Sequence, residues 1–245
     1  MKIAIVSDIH GNLPALRAVL DDIARRGVDR IVNLGDSLSG PLEPRETAEL
    51  LMAQDWVQLA GNHERQLLEF SPRRHGPSDA YAHGEIGPAA FDWMRGLRHA
   101  LPLDEEVFLC HGTPRSDLEP FLHTIEGNAM RPATAAEMEE RLCDVQASVV
   151  ACGHTHVPRV ARTRRGQLLV NPGSVGLQAY HGDGGAYAVE NGSPDARYAI
   201  VERRSGGWSA ALIAVPYDHA RTARLAAQRG RPDWQVALQY GTLSA

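Results

Sequence analysis

Asp8, His10, Asp36, Asn62, His111, His154 and His156 are oxygen and imidazole donors that come directly after apolar runs of strand character. They lie in five short polar clusters: Asp8-Ile9-His10-Gly11-Asn12, Gly35-Asp36, Gly61-Asn62-His63-Glu64, His111-Gly112 and Gly153-His154-Thr155-His156. These seven side chains suit, in type and number, two adjacent divalent cations. Asp8 and His10 are two apart, and a regular strand would turn both to one face and so to one cation. Asp36 has two carboxylate oxygens, which suits a bridge between metals. Asn62, His111 and His154 add a neutral oxygen and two imidazoles for the second metal, and His156 completes the first. A lone Asp-x-His or His-x-His is ordinarily a capped loop or a satisfied histidine; five such pieces, each at a strand end, carry the metal reading. His75, His83, His99, His123, His181 and His219 lack such settings and read mostly as surface residues.

Side chains at strand ends need strands and helices in alternation, since open α/β proteins place their sites at the carboxyl ends of strands. Lys2 to Ser7 reads as a strand. Leu13, Leu16, Val19, Leu20 and Ile23 then recur at helical spacing, until Gly27 offers a stop after Arg25 and Arg26. Arg30 to Leu34 repeats the strand, Pro44 to Asp55 the helix, and Trp56 to Ala60 the strand again, which gives the sheet parallel character. Glu64 to Leu97 is looser and reads as helices and loops leading to a strand at Val107 to Cys110. Thr134 to Glu137 is a capping box that opens a helix to about Cys143, and Ser148 to Cys152 is another strand. After His156 come short runs at Arg159 to Thr163, Gln167 to Asn171, Ala186 to Val189, Tyr198 to Glu202 and Trp208 to Val215. Gly-rich turns separate them, so they read as hairpins forming a second sheet. A last helix is expected over His219 to Arg229.

With 245 residues, 43% hydrophobic and 22% charged, one large α/β domain over the whole chain fits better than two small ones. The formal net charge of −5 argues against a general nucleic-acid binder, although a metal site can hold phosphate in an acidic protein. Ile3 to Val6 meets Asp8 too soon for a signal-peptide core, and no stretch approaches the ~20 apolar residues of a membrane helix. The expectation is a cytoplasmic protein without membrane contact. Cys110, Cys143 and Cys152 are odd in number and lack a Cys-x-x-Cys spacing, against a disulfide framework or a thiolate zinc site. Cys110 and Cys152 read as small packed strand residues.

In order, these clusters resemble the calcineurin-like metallophosphoesterases over most of the chain. Asp8 to Leu20 (DIHGNLPALRAVL), Gly153 to Pro158 (GHTHVP) and Asn171 to Gly176 (NPGSVG) are similar to the small bacterial and archaeal phosphodiesterase branch. The resemblance implies a four-layer α/β/β/α sandwich of two mixed sheets flanked by helices. It implies one metal held by Asp8, His10, Asp36 and His156 and a second held by Asp36, Asn62, His111 and His154. Manganese is the first choice of cofactor, with iron, cobalt, nickel and zinc also compatible with such ligands. His63 would stay outside the coordination shell, as electrostatic stabiliser or proton donor to the leaving oxygen, or as a group orienting a ligand. A hydroxide shared by the metals would attack phosphorus in line. The implied activity is a phosphodiesterase acting on a nucleotide or other small phosphodiester. A phosphomonoesterase or protein phosphatase with the same site, and a non-catalytic scaffold, are the competing readings.

Two departures matter. Protein Ser/Thr phosphatases of this superfamily carry an acid three residues after the position of Asp36, and it pairs with the catalytic histidine; Ser39-Gly40-Pro41 stands there instead. Many relatives in the small branch carry Cys where His63 stands, so this chain keeps a proton donor. Substrate contacts are expected from Asn62 and His63. Asn12 either contacts phosphate or caps the first helix. Pro114 to Arg131 hangs beyond a ligand-bearing strand and is expected to govern substrate choice, with Arg115 and His123 either gripping a second phosphate or base or lying solvated in the loop. Arg159, Arg162, Arg164 and Arg165 read as a solvated hairpin, and Asn171 to Ser174 as a loop buttressing the histidines.

Overall fold

The computed structural model describes residues 1–244, apart from the side chain at position 183. Strand β1 (Lys2–Val6) leads into helix α1 (Leu13–Arg26), β2 (Arg30–Asn33) into α2 (Pro44–Met52) and β3 (Val57–Gln58) into α3 (Asn62–Leu68). Helices α4 (Pro77–Glu85) and α5 (Pro88–Arg95) precede β4 (Ala100–Pro102) and β5 (Val107–Cys110). The hairpin β6 (His123–Glu126) and β7 (Ala129–Pro132), helix α6 (Ala135–Arg141) and β8 (Val149–Ala151) follow. Then come β9 (Arg159–Arg162), β10 (Leu168–Asn171), the hairpin β11 (Ala179–Gly182) and β12 (Tyr187–Glu190), and the long pair β13 (Ala196–Arg204) and β14 (Gly207–Val215). Helices α7 (His219–Gln228) and α8 (Pro232–Tyr240) close the chain.

Two five-stranded sheets result, in the orders β14-β13-β1-β2-β3 and β4-β5-β8-β10-β9. Each has three parallel strands, β1, β2 and β3 in one and β5, β8 and β10 in the other, with antiparallel strands beside them. Period-two alternation in strands buried on both faces builds four layers. Ile3, Ile5, Val32 and Leu34 face Val107, Leu109, Val149 and Val170 between the sheets. Ala4 and Val6 turn the other way onto Leu16, Val19 and Ile23 of α1. On the far side, Val150 and Leu169 pack with Met138 and Leu142 of the α6 region. Asn12 caps α1 by accepting from the Ala15 amide at 3.2 Å, and Thr134 caps α6 in a capping box with Glu137.

The late strands do not gather into one second sheet, and β11 and β12 pair with each other as a separate two-stranded ribbon. β9 and β10 join the second sheet, whereas β13 inserts beside β1 in the first, with Ile3 opposite Val201 and Ile5 opposite Ala199. Tyr198 and Ile200 are buried on one face of β13 and Ala199 and Val201 on the other. Two buried faces suit an interior strand, not a one-sided hairpin. Among the described residues, no helix is long and apolar enough to cross a membrane.

Candidate metal centre and active site

The seven donors converge at the carboxyl ends of the parallel strands, but not by the regular strand geometry expected for Asp8 and His10. β1 ends at Val6, and the chain then turns through left-handed conformations. Among the described residues six non-glycine residues have positive φ, and five are donors: Asp8 (55°), His10 (52°), Asp36 (54°), His154 (69°) and His156 (59°). Each such conformation costs on the order of 1–3 kcal/mol, and strain of this kind gathers where function holds it in place. The tight loops are locked to one another. Asp8 N–H donates to Gly35 O, His10 N–H to Asp36 O, and Gly176 N–H to Asp8 O, at 2.9, 3.0 and 3.0 Å. A side chain on Gly61 would collide with Asp36 and His111, and one on Gly153 with Ser7 and Asp8, so both glycines permit a close approach.

Two clusters form. Asp8, His10 and His156 offer ligand atoms within 4.8 Å of one another, and so do Asp36, His111 and His154. Nδ1 of His10 faces Ser39 O at 2.7 Å and Nδ1 of His156 faces Leu177 O at 2.7 Å. A carbonyl only accepts, so each Nδ1 carries a proton, and in the neutral form of the ring the lone pair lies on Nε2. Those two Nε2 atoms lie 3.1 Å apart. Asp8 Oδ1, buried and without a hydrogen-bond partner, is 3.4 Å from His156 Nε2. Lone pairs that face each other in a buried site repel unless a cation lies between them, and imidazole held at Nδ1 by a carbonyl is the usual state of a metal ligand.

The second cluster repeats the arrangement. His111 Nδ1 donates to Leu34 O at 2.8 Å, leaving Nε2 3.3 Å from Asp36 Oδ2 and 3.2 Å from Asn62 Oδ1. His154 Nδ1 is 3.0 Å from the same Asn62 oxygen. Burial and the neighbouring imidazoles push His10 and His154 down to about 4, so both rings are neutral at pH 7. His111 differs: burial opposes its charge, but Asp36 raises it to about 10. The donor set fits two divalent cations. Burial pushes the Cys110 and Cys152 thiols up, so they stay neutral and pack beside His111 and Gly153.

Glu64 has no sequence-level role beyond membership of the Gly-Asn-His-Glu string, yet it organises the site. Fully buried, its carboxylate accepts from the amides of Asp36, Ser37 and Gly61 at 2.8, 2.8 and 2.7 Å. It thereby ties the Asp36 loop to the start of α3, whose His63 amide donates to Asp36 Oδ1 at 2.9 Å. The His63 ring stands edge-on to His10, with centroids 5.4 Å apart. Its Nδ1 lies 2.8 Å from Asp79 Oδ1. Burial works against the imidazolium, but Asp36 and Asp79 raise its pKa to about 9.

The calcineurin-like phosphoesterase superfamily domain matches residues 1–191. The chain belongs to that superfamily. As a calcineurin-like phosphoesterase it is a hydrolase of phosphoric esters; the family typically binds a dinuclear metal centre, and this chain has two His/Asp clusters. An uncharacterised protein of Methanocaldococcus jannaschii, MJ0912, is 25% identical over 242 residues, 95% of this chain and 94% of its own length. The phosphodiesterase YfcE of Escherichia coli K12 is 29% identical over 191 residues, 72% of this chain and 80% of its own. A metallophosphoesterase from Sphaerobacter thermophilus superposes with a TM-score of 0.76 at 25% identity, covering 98% of this chain and all of that one.

Above the clusters this phosphoesterase has a cleft of about 460 Å³, floored by His10, Asp36, Asn62, His154 and His156, with His63 beside them. Its walls are not those expected. Of residues 114–131 only Leu118 reaches it; the segment from Arg74 to Asp79, the β11–β12 hairpin with Tyr180 and His181, and α8 with Trp234 form the sides. Helix α8 was missed because a short helix after Gly230-Arg231 carries little periodicity. It is anchored by Arg231, which donates to Ser78 Oγ at 2.9 Å, and by Trp234, 6.1 Å from the His10 ring.

Three residues for which a substrate contact was one of two alternatives lie elsewhere, Asn12 in the capping role and Arg115 on the surface. Asn12 is fully buried, its oxygen spent on the α1 cap and its amide donating to Gly176 O at 2.9 Å and Tyr217 Oη at 3.0 Å. Arg115 is on the surface, paired with Glu119 and Glu140 at 2.6 Å each. His123 is 4% exposed in β6, and burial with Arg159 and Arg141 nearby pushes it down to about 4. None of the three lines the cleft. His75 and His181, read as surface residues, do line it. Arg159 and Arg162 donate to backbone carbonyls and form no free basic patch. Asn171 does buttress the histidine loop, donating to Gly153 O at 2.7 Å and Thr155 Oγ1 at 3.1 Å.

Proposed function

We propose that this phosphoesterase is a phosphodiesterase that hydrolyses a nucleotide or another small phosphodiester. Its cofactor is a pair of divalent cations, manganese the first choice, one held by Asp8, His10, Asp36 and His156 and the other by Asp36, Asn62, His111 and His154. The observation that carries the reading is the pair of donor clusters side by side on the floor of one walled cleft. Two such cations, when bound, supply a water activated near neutral pH and neutralise the phosphoryl oxygens. Asp36, held by the α3 amide, fixes the spacing of the two clusters. Asn62 and His63 face the phosphate from the start of α3. His63 hands a proton from Nε2 to the departing oxygen as the phosphorus–oxygen bond breaks. The name of the E. coli relative supports a diester. A cleft of roughly 300–1,000 Å³ suits a small ligand, and walls on three sides favour one over a folded phosphoprotein. The complete donor set argues against a scaffold without turnover.

A substrate panel tests this. Chelator-stripped protein reloaded with manganese is expected to hydrolyse bis(4-nitrophenyl) phosphate with a kcat/KM at least an order of magnitude above that for 4-nitrophenyl phosphate or a phosphoserine peptide. A preference for either monoester would replace the diesterase reading with a phosphatase.

A further inference from the structure

Position 39, where the resembling protein phosphatases carry an acid, holds a serine, yet His63 does not lack a carboxylate. Asp79 arrives from the first turn of α4, sixteen residues further along, and its Oδ1 lies 2.8 Å from His63 Nδ1. Ser39 Oγ donates to that same oxygen at 2.7 Å. Asp79 is 4% exposed, and a buried carboxylate is retained only when such partners satisfy it. An acid in a first helical turn would ordinarily serve its own helix. Here it is turned away to two side chains of other elements. Ser39 is joined to the metal floor as well, because its carbonyl holds His10 Nδ1 at 2.7 Å.

We propose that Asp79, steadied by Ser39, is the positioning residue that keeps His63 ready to protonate the leaving group. This rests on the role given to His63 above. A carboxylate at Nδ1 admits only the form with a proton on Nδ1. It therefore leaves Nε2 as the atom that delivers a proton toward the cleft and regains one from solvent. In the step, a water oxygen forms the new bond to phosphorus and gives up a proton to solvent, while the electron pair of the breaking phosphorus–oxygen bond goes to the departing oxygen. That oxygen takes the Nε2 proton, and His63 remains neutral with Nδ1–H donated to Asp79. α4 thus supplies, from the wall of the cleft, the acid that the loop at Ser39 lacks.

The test is a leaving-group series: methyl aryl phosphodiesters from 4-nitrophenol to phenol, hydrolysed by manganese-loaded wild type, His63→Ala, Asp79→Asn and the double variant. General acid help is typically worth ~10²- to 10⁴-fold and matters most for poor leaving groups. Asp79→Asn should lose much more rate on the phenyl ester than on the nitrophenyl ester, with manganese stoichiometry unchanged. The double variant should be no slower than His63→Ala, since two groups acting as one unit are not additive. Equal losses along the series, additive losses in the double variant, or no loss would overturn the proposal and leave Asp79 as a tether for α4. If His63→Ala itself shows no leaving-group dependence, the His63 role fails first, and this proposal falls with it. Should Asp79→Asn fail to fold, Ser39→Ala decides, because it keeps the carboxylate and removes one hydrogen bond. It is expected to steepen the series in the same sense by less, and an unchanged series would count against the proposal.

Discussion

His154 and His156 are separated by one threonine and face different clusters, because both take left-handed backbone conformations around a buried Thr155. In the dimetal account the two residues serve different ions. His154→Ala is expected to weaken the ion near Asp36, Asn62 and His111, and His156→Ala the ion near Asp8 and His10. Anomalous diffraction from manganese-soaked crystals reads this directly, and loss of the same peak in both variants would refute the allocation. At this scale the donors were legible in the sequence because chemistry restricts them: aspartate, asparagine and histidine after apolar runs have few other reasons to recur five times. Asp79 was not legible. An acid in the first turn of a helix is common, and nothing in the chain marks that it meets a histidine sixteen residues back. Asn12 takes the capping role, one of the two open to it in the sequence: a polar residue beside a motif that is consumed by its helix.

Helix α3 and the Asp36 loop are joined through Glu64, whose two oxygens satisfy three amides. Glu64→Gln replaces one acceptor oxygen with a donor, which leaves at least one buried N–H unpaired at a cost of ~1–3 kcal/mol. Denaturant unfolding of the metal-free variant should show a loss of that size, together with weaker manganese binding in the holo form. Unchanged stability would mean that the loops hold without this clamp. Among the elements, the βα units from β1 to β3 were readable from period, capping and breaker residues. The distribution of the late strands was not, since short apolar runs between glycine turns fit a hairpin sheet as well as insertion beside β1. What decided it was two-sided burial, which only the assembled sandwich supplies. Strand β12 was read at Ala186 to Val189, but its partner β11 and helix α8, which wall the cleft, were obscured for a related reason: what places them is contact with the histidine loops, not a local sequence signal.

At the scale of the molecule, two sheets that each run three strands in parallel bring their carboxyl ends to one cleft, and residues from 8 to 156 meet there across most of the chain. The sandwich explains why the donors can be rigid although every one of them lies on a loop or helix end: the left-handed turns are locked to each other and to the sheet cores beneath them. It also explains the position of His63 and Asp79, which approach from the wall and not from the floor. On the proposed reading, two cations in this cleft together make a phosphodiesterase. The most direct test of that reading is a titration of chelator-stripped protein with manganese, following hydrolysis of bis(4-nitrophenyl) phosphate against bound metal per chain. Activity is expected to rise to a plateau at two equivalents, with little turnover at one. A plateau at a single equivalent, or hydrolysis that persists without metal, would contradict the reading.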